Sequence, residues 1–490
     1  MPNLRLTSAL LLLTAACAVG PTIDPGPAPA PLTQRSAPTG APARAFFDSL
    51  AAARQGQPAE SAGVARTPDA ELTLDATGDL AWLTVLNDPA LVELVRTAVA
   101  NNRELRVAVA RVREYRAQLG VARADLFPQL SASGTASTNQ SIFGAFPPQQ
   151  FDAVRITADL SWELDFWGKL RRQGQAARFD YAARESDQRA TVLSLVSDVA
   201  TAYLELRELD EDQRIAEETL ASRRATLSLA EQRFAQGLIS ELDVRQFEAE
   251  VADPAGRVAE FSRRRVQKEN QLRLLLGEDP GAITRGGPLA SVVQAVTVPD
   301  SIPSTLIMRR PDVRRAEQEW AAATARIGVA IGNRLPRVSL TGQYGTQRPD
   351  FSGLFGSQAE VYTLQGGISI PLFTGGRLVN QERAARARAE QGQARYEQAV
   401  LSALREANDA LVGVRTTRDQ LVAQETQVRA LRRATALAGR RYESGVSSYL
   451  EVLDAQRGLF TAELALAAVQ RLYLGSTVQL YKALGGGWTE

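Results

Sequence analysis

Apolar and polar residues alternate with period two along 155–165. Ile156, Ala158, Leu160, Trp162 and Leu164 fall on one face, and Thr157, Asp159, Ser161, Glu163 and Asp165 on the other. A second stretch does the same, with Tyr362, Leu364, Ile368, Ile370 and Leu372 against Thr363, Gln365 and Ser369. Weaker alternation runs through 129–137 and 337–345. Period two is the signature of a strand with two unlike faces, so strands are predicted at about 129–141, 154–165, 337–348 and 361–373. Runs of roughly 10 residues suit a tilted membrane-crossing strand, although an ordinary half-buried sheet alternates in the same way. Elsewhere the period is helical. Leu91, Leu94, Val95 and Ala98 lie within a predicted helix over 89–124, and a second is predicted over 311–333. Pro128 and Pro336 end these helices, because proline lacks the amide donor and biases the preceding residue to extended geometry.

The longest helical stretches follow the strand pairs. The chain runs without proline from Gly168 to Gly237, and again over an equal length from Gly376 to Gly445. Val192, Leu195, Val196, Val199, Tyr203 and Leu206 keep helical spacing. At 1.5 Å per residue such a helix reaches about 100 Å. It needs neighbours along its length to be stable, and these are supplied by second helices over 242–276 and 450–484, after Gly-marked turns. Pro254 interrupts the first returning helix where the second copy has Ala462, which predicts a kink.

The chain is written twice. Phe127-Pro128-Gln129-Leu130 matches Leu335-Pro336-Arg337-Val338, Leu160 to Lys169 matches Ile368 to Arg377, and Leu276-Gly277 matches Leu484-Gly485, all at an offset of 208. Four strands cannot close a barrel, for which about eight is the lower limit. Left open in lipid they expose unpaired backbone groups at several kcal/mol each. The chain is therefore expected to oligomerise; two copies supply 8 strands and three supply 12.

Composition removes most chemistry. The 490 residues include no histidine, one cysteine and two methionines, so the commonest general base and metal ligand are missing. A lone Cys17 forms neither an internal disulfide nor a thiolate cluster. There is no phosphate loop of the GxxxxGK[ST] type and no dinucleotide fingerprint. A net charge of +1 offers no basic footprint for nucleic acid. No catalytic residue, metal site or cofactor is expected. The amino-terminal stretch MPNLRLTSALLLLTAAC places Arg5 before an apolar run and small residues before the cysteine. It reads as a signal peptide over 1–16 and a lipid-modified Cys17; a plain Ala-x-Ala signal with an incidental cysteine is the alternative. Residues 17–79, rich in Pro, Ala, Gly and Thr, read as a lipid-anchored extended segment.

Taken in order, several motifs resemble the outer membrane factor (TolC-like) family, in particular its OprM/NodT-type efflux lipoproteins. They are Cys17-Ala-Val-Gly-Pro21, Asn87-Asp-Pro-Ala-Leu91, Trp162-Glu-Leu-Asp-Phe-Trp-Gly-Lys169, Arg310-Pro-Asp312 and Arg441-Tyr-Glu-Ser-Gly445. The resemblance implies a mixed, mainly α fold in two tandem repeats, over 80–298 and 299–490. Each repeat has a helix, two strands and a helical hairpin, at about 168–277 and 376–485. Three copies would form a 12-stranded transmembrane β-barrel, four strands per protomer, continued by a long periplasmic α-helical barrel. The implied function is passive conduction of small molecules and drugs across the bacterial outer membrane, as the channel of a tripartite efflux system with a periplasmic adaptor and an inner-membrane RND pump. Adaptor docking is implied at the hairpin tips, Gly237, Leu238, Ile239, Ser240, Gly445, Val446, Ser447 and Ser448. A periplasmic constriction is implied nearby, with Glu217, Glu218, Arg224, Glu425, Arg429 and Arg432 as candidates; arginine is more prominent there than the family's aspartates. A type I secretion duct for polypeptides and a periplasmic coiled-coil structural protein remain alternatives.

Overall fold

The computed structural model describes residues 20–21, 86–141, 148–295, 304–356, 358–444 and 446–486. Cys17, Gly445 and nearly all of 1–79 lie outside these. The elements are α1 (Pro89–Asn101), α2 (Arg103–Ala124), β1 (Gln129–Ser141), β2 (Gln149–Leu164), α3 (Lys169–Ala235), α4 (Glu241–Leu276) and α5 (Leu289–Ala295). After a 3-10 turn (Ser304–Arg309) come α6 (Pro311–Gly332), β3 (Arg337–Arg348), β4 (Glu360–Ser369), α7 (Arg377–Glu443) and α8 (Tyr449–Ala483). Helices α2 and α6 begin and end at the repeat offset, as do α3 and α7, which are each 67 residues long.

Three boundaries differ from the sequence expectation. The helix over 89–124 is two helices, because Asn102 leaves helical geometry at ψ 133° and re-caps the chain. Its Oδ1 accepts from the Leu105 amide at 3.0 Å, and its Nδ2 donates to the Leu275 carbonyl at 2.9 Å. Strand β2 starts at Gln149 rather than 154, since pairing with Ser141 and its predecessors carries the ladder past the alternating core. Strand β4 stops at Ser369 rather than 373, just short of Pro371, which has no amide to give. Helix α4 runs unbroken through Pro254.

The chain divides into two compact units. One holds Ala110–Ser186 and Arg314–Gln398 with the amino-terminal Gly20 and Pro21; the other holds Asp187–Val313 and Ala399–Glu490 with the preceding α1 region.

In the first unit the strands form one antiparallel sheet in the order β1-β2-β3-β4. The register sorts side chains by rung. Leu130, Leu160, Gly342 and Leu364 share a rung, as do Ala132, Ala158, Tyr344 and Tyr362. Between them lies Ser131, Asp159, Gln343 and Thr363. One face is thus apolar and exposed, carrying Leu130, Ile156, Tyr344, Tyr362, Leu364 and Ile368. The other is polar and self-bonded: Ser133 donates to Asp159 at 2.7 Å, Gln343 to Asp159 at 2.6 Å and Arg155 to Gln343 at 2.5 Å. Among the described residues β1 and β4 each pair along one edge only.

Gly345 marks the tightest point of this sheet. A Cβ there would stand 2.0 Å from the Ile156 carbonyl oxygen and 2.7 Å from Thr157 Cα. Gly345→Val is therefore expected to break the β2–β3 ladder and abolish membrane assembly, read as loss of heat-modifiable protein from outer-membrane fractions. A variant assembling as well as the parent would show that the two strands separate freely at that point.

In the second unit α1 packs on the long helices. Leu91, Val95 and Ala98 meet Val196, Val199, Tyr203, Leu272, Leu276, Leu474 and Val478 in one buried cluster. The residues around it fix helix ends. Asp88 caps α1 through the amides of Ala90 and Leu91 and accepts from the Tyr203 hydroxyl at 2.8 Å. Buried Arg310 donates to the Ala483 carbonyl at the end of α8 (2.8 Å) and to Asp312 and Glu406 (both 2.7 Å). Two sequence motifs, Asn-Asp-Pro and Arg-Pro-Asp, are thereby explained as end locks.

Candidate functional site

No group of His, Cys, Asp or Glu among the described residues is placed to hold a metal ion. No helix among them is long and apolar enough to cross a membrane, which leaves the question of a β-barrel open. The candidate functional surfaces are the strand–helix junction and the hairpin tips.

At the junction the sheet ends in aromatic and apolar side chains. Phe127 precedes β1, Phe166 and Trp167 follow β2, and Leu372 and Phe373 follow β4; all are exposed. Two indoles are held by backbone carbonyls: Trp162 Nε1 donates to Leu126 O at 3.0 Å and Trp167 Nε1 to Pro336 O at 2.7 Å. Amphipathic rings with a satisfied N–H and an exposed edge suit a membrane–water boundary. Charged residues flank them, with Arg171 on Asp165 at 3.1 Å and Arg337 on Glu163 at 2.8 Å. Gly20 reaches this level. Gly20 sits against the backbone of Gly328 in α6, its carbonyl accepting from Arg172 Nη2 at 2.8 Å. At φ 126° and with a Cβ position 2.8 Å from Gly328 Cα, only glycine fits.

At the far end of α3, Gly237 turns left-handed at φ 75°. Its neighbour Leu238 donates back to Arg233 O at 2.9 Å, and Val446 donates to Arg441 O at 2.9 Å. One helix stop is thus used twice, once in each repeat. It lifts apolar side chains into solvent: Leu238 is 67% exposed and Val446 68%, with Leu242 and Leu450 one turn on equally open. Ile239 and Ser447 are half-buried beneath them. The tips differ in rigidity. Ser240 and Asp243 form a reciprocal capping box on α4, whereas Ser448 makes no side-chain cap on α8.

Above the tips the two hairpins are laced together. The Arg233 guanidinium lies 5.3 Å over the Tyr442 ring and donates to its hydroxyl at 2.9 Å. Tyr442 meets Tyr449 edge-on at 5.4 Å, and Phe247 meets Tyr449 at 4.1 Å. Burial first, then the charge of Glu250, push the Tyr449 hydroxyl up to about 12. Glu250 is the centre of the next layer. It is 7% exposed and binds Arg223 of its own hairpin at 2.6 Å and Arg457 of the other. Pro254 denies Glu250 O its helical donor, and Arg223 Nη1 supplies one at 2.8 Å.

The candidate constriction residues sit on these helices. Glu217 accepts from Gln213 at 2.7 Å, and Glu218 pairs with Arg214 at 2.6 Å, both within α3. Glu425 and Arg429 face each other at 3.8 Å within α7, and Arg224 is exposed. Arg432 reaches Glu463 on α8 at 2.8 Å. Two ion pairs joining the hairpins, Glu250–Arg457 and Glu208–Arg471, escaped sequence reasoning; for the first, the available signal was the proline four positions after a glutamate.

Asp212 on α3 is a second buried carboxylate, 8% exposed, with Oδ1 lacking a hydrogen-bond partner. Burial, then repulsion by Glu208, push it up to about 7. Unfolded, it titrates near about 3.9. The folded chain therefore binds that proton more tightly, and stability falls as pH rises from about 4 to about 7. Asp212→Asn is expected to remove this slope and stabilise by up to about 4 kcal/mol above pH 7, with no gain at pH 4. Denaturant midpoints across pH check it, and an equal gain at both ends would contradict it.

A family model described as "Outer membrane efflux protein" matches residues 94–278 and again 302–486. The chain is 37% identical over 409 residues to the solvent efflux pump outer membrane protein SrpC of Pseudomonas putida, covering 82% of this chain and 86% of that one. It is 33% identical over 413 residues to SilC of Salmonella typhimurium, described as a probable outer membrane lipoprotein, covering 84% and 89%. Among solved structures it resembles CusC, whose report concerns transmembrane channel formation, at TM-score 0.78 and 32% identity, covering 83% of this chain and 94% of that one.

Proposed function

Because the chain belongs to the outer membrane efflux protein family, we propose that it is the exit channel of a tripartite efflux assembly, formed by three copies. The observation that carries this reading is the two-faced sheet with two open edges. In lipid each unpaired edge group costs several kcal/mol, so the edges must meet other copies. Three copies give 12 strands, within the even-numbered range that spans outer membranes. The apolar face then meets lipid and the Asp159 face meets water. The junction belt of Phe127, Phe166, Trp167 and Phe373 sets the inner boundary, and the long helices continue into the periplasm. The protein conducts passively and catalyses nothing; energy comes from an inner-membrane pump of the RND type.

The exposed tips, Leu238 with Leu242 and Val446 with Leu450, suit an adaptor that covers apolar knobs. The gate lies above them, among Glu217, Glu218, Arg224, Glu425, Arg429 and Arg432 and the Glu250 cluster. Cys17 carries the lipid anchor. Labelled palmitate is expected in the parent and absent from Cys17→Ser; label in both would remove the anchor. Deleting the protein is expected to raise sensitivity to small toxic molecules. Unchanged sensitivity with a polypeptide retained in the periplasm would instead identify a secretion duct.

A further inference from the structure

The foot of the sheet is continuous with depressions on the helices that are rich in arginine. A depression at the foot of the sheet is lined by Glu163 and Arg337, both on the polar face, together with Asn333 and Gln381. Asn333 and Gln381 also line the next depression, of about 720 Å³, which adds Asp180, Arg326 and Arg388. Those three in turn line a third, of about 390 Å³, which reaches Arg184 and Arg395. The three share walls and form one groove across α3, α6 and α7. It begins at Glu163 and Arg337 on the polar sheet face, the face that meets water in the proposed channel.

The carboxylates in the helical part of this groove are already engaged. Arg184 holds Glu319 at 2.6 Å, and Arg326 is paired with Asp180. Arg388 and Arg395, two turns apart on α7, have no carboxylate within ion-pair distance among the described residues, and both are exposed. Two turns of helix separate them by about 10 Å. Guanidinium groups stay charged at every working pH and present a planar fork that fits carboxylate, sulfonate or phosphate in two-point contact. In a trimer the arrangement occurs three times around one path.

We infer that this groove is a transit site for small anionic solutes, with Arg388 and Arg395 as the residues that select them. The inference rests on the channel reading, which supplies the water path. The test uses the full protein in detergent at low salt, titrated into pyrene tetrasulfonate and followed by fluorescence anisotropy. Binding that weakens at least tenfold in Arg388→Gln/Arg395→Gln, weakens with added salt, and is unchanged in Arg383→Gln, which lies outside the groove, establishes the site. Equal affinity in the parent and the double variant overturns it. Ion conductance in planar bilayers is measured separately: its absence counts against the channel reading and leaves the anion site standing.

Discussion

Changing Leu238 and Val446 together to aspartate is expected to make cells as drug-sensitive as those lacking the protein, while the channel still reaches the outer membrane. Each side chain stands about two-thirds exposed at the same point of its repeat, on a turn fixed by backbone bonds rather than by the side chain. Folding therefore loses little by the change. Docking loses much more, because covering each residue contributes about 1.5–3 kcal/mol and a carboxylate in its place resists desolvation. Since about 1.4 kcal/mol is tenfold in affinity, the pair weakens adaptor capture by at least about a hundredfold. Susceptibility assays and adaptor co-purification read this out. Full resistance in the double variant would move the docking surface away from the tips. A smaller effect is expected from Ser240→Ala, which removes only a helix cap.

The largest stability loss is expected from Arg223→Ala. It leaves the buried Glu250 carboxylate with Arg457 as its one remaining cation and leaves its carbonyl, freed by Pro254, with no donor. Removing one member of a buried pair costs about 3–5 kcal/mol. The second repeat shows how to restore it, because Leu431 and Gly458 stand where the first has Arg223 and Glu250. Arg223→Leu with Glu250→Leu should recover most of the loss, as apolar replacements of buried ion pairs generally do. Denaturant unfolding of the single and double variants distinguishes these cases. An Arg223→Ala protein as stable as the parent would mean that Arg457 alone satisfies Glu250. The double variant also loses the Glu250–Arg457 link, one of several between the hairpins, so its gate should open more readily even where its stability is restored.

How much of this was visible in the chain depends on the range of the interaction. The fixed repeat offset, the alternating faces of 155–165 and the paired glycine turns are local patterns, and they locate the strands, the long helices and the tips. The break at Asn102 is invisible to periodicity, because apolar spacing continues through Leu105; it exists because Leu275, far along the chain, offers a carbonyl to Asn102. The early start of β2 is equally hidden, since Gln149 and Gln150 owe their extension to partners on β1. Charged helix faces were the least legible feature. Glu217, Glu218 and Glu425 are candidates for the constriction, yet their partners lie on their own helices. Glu250 and Arg457 join the hairpins because helix packing brings α4 and α8 together, a distance that spacing along the chain does not encode.

Native mass spectrometry of the full-length protein extracted in detergent weighs the reasoning built on those unpaired strand edges. Three chains in one particle, each mature and carrying acyl mass at its amino terminus, is the expected result. A single chain, monodisperse in water without detergent, would mean that β1 and β4 need no partners and that the sheet does not span a membrane.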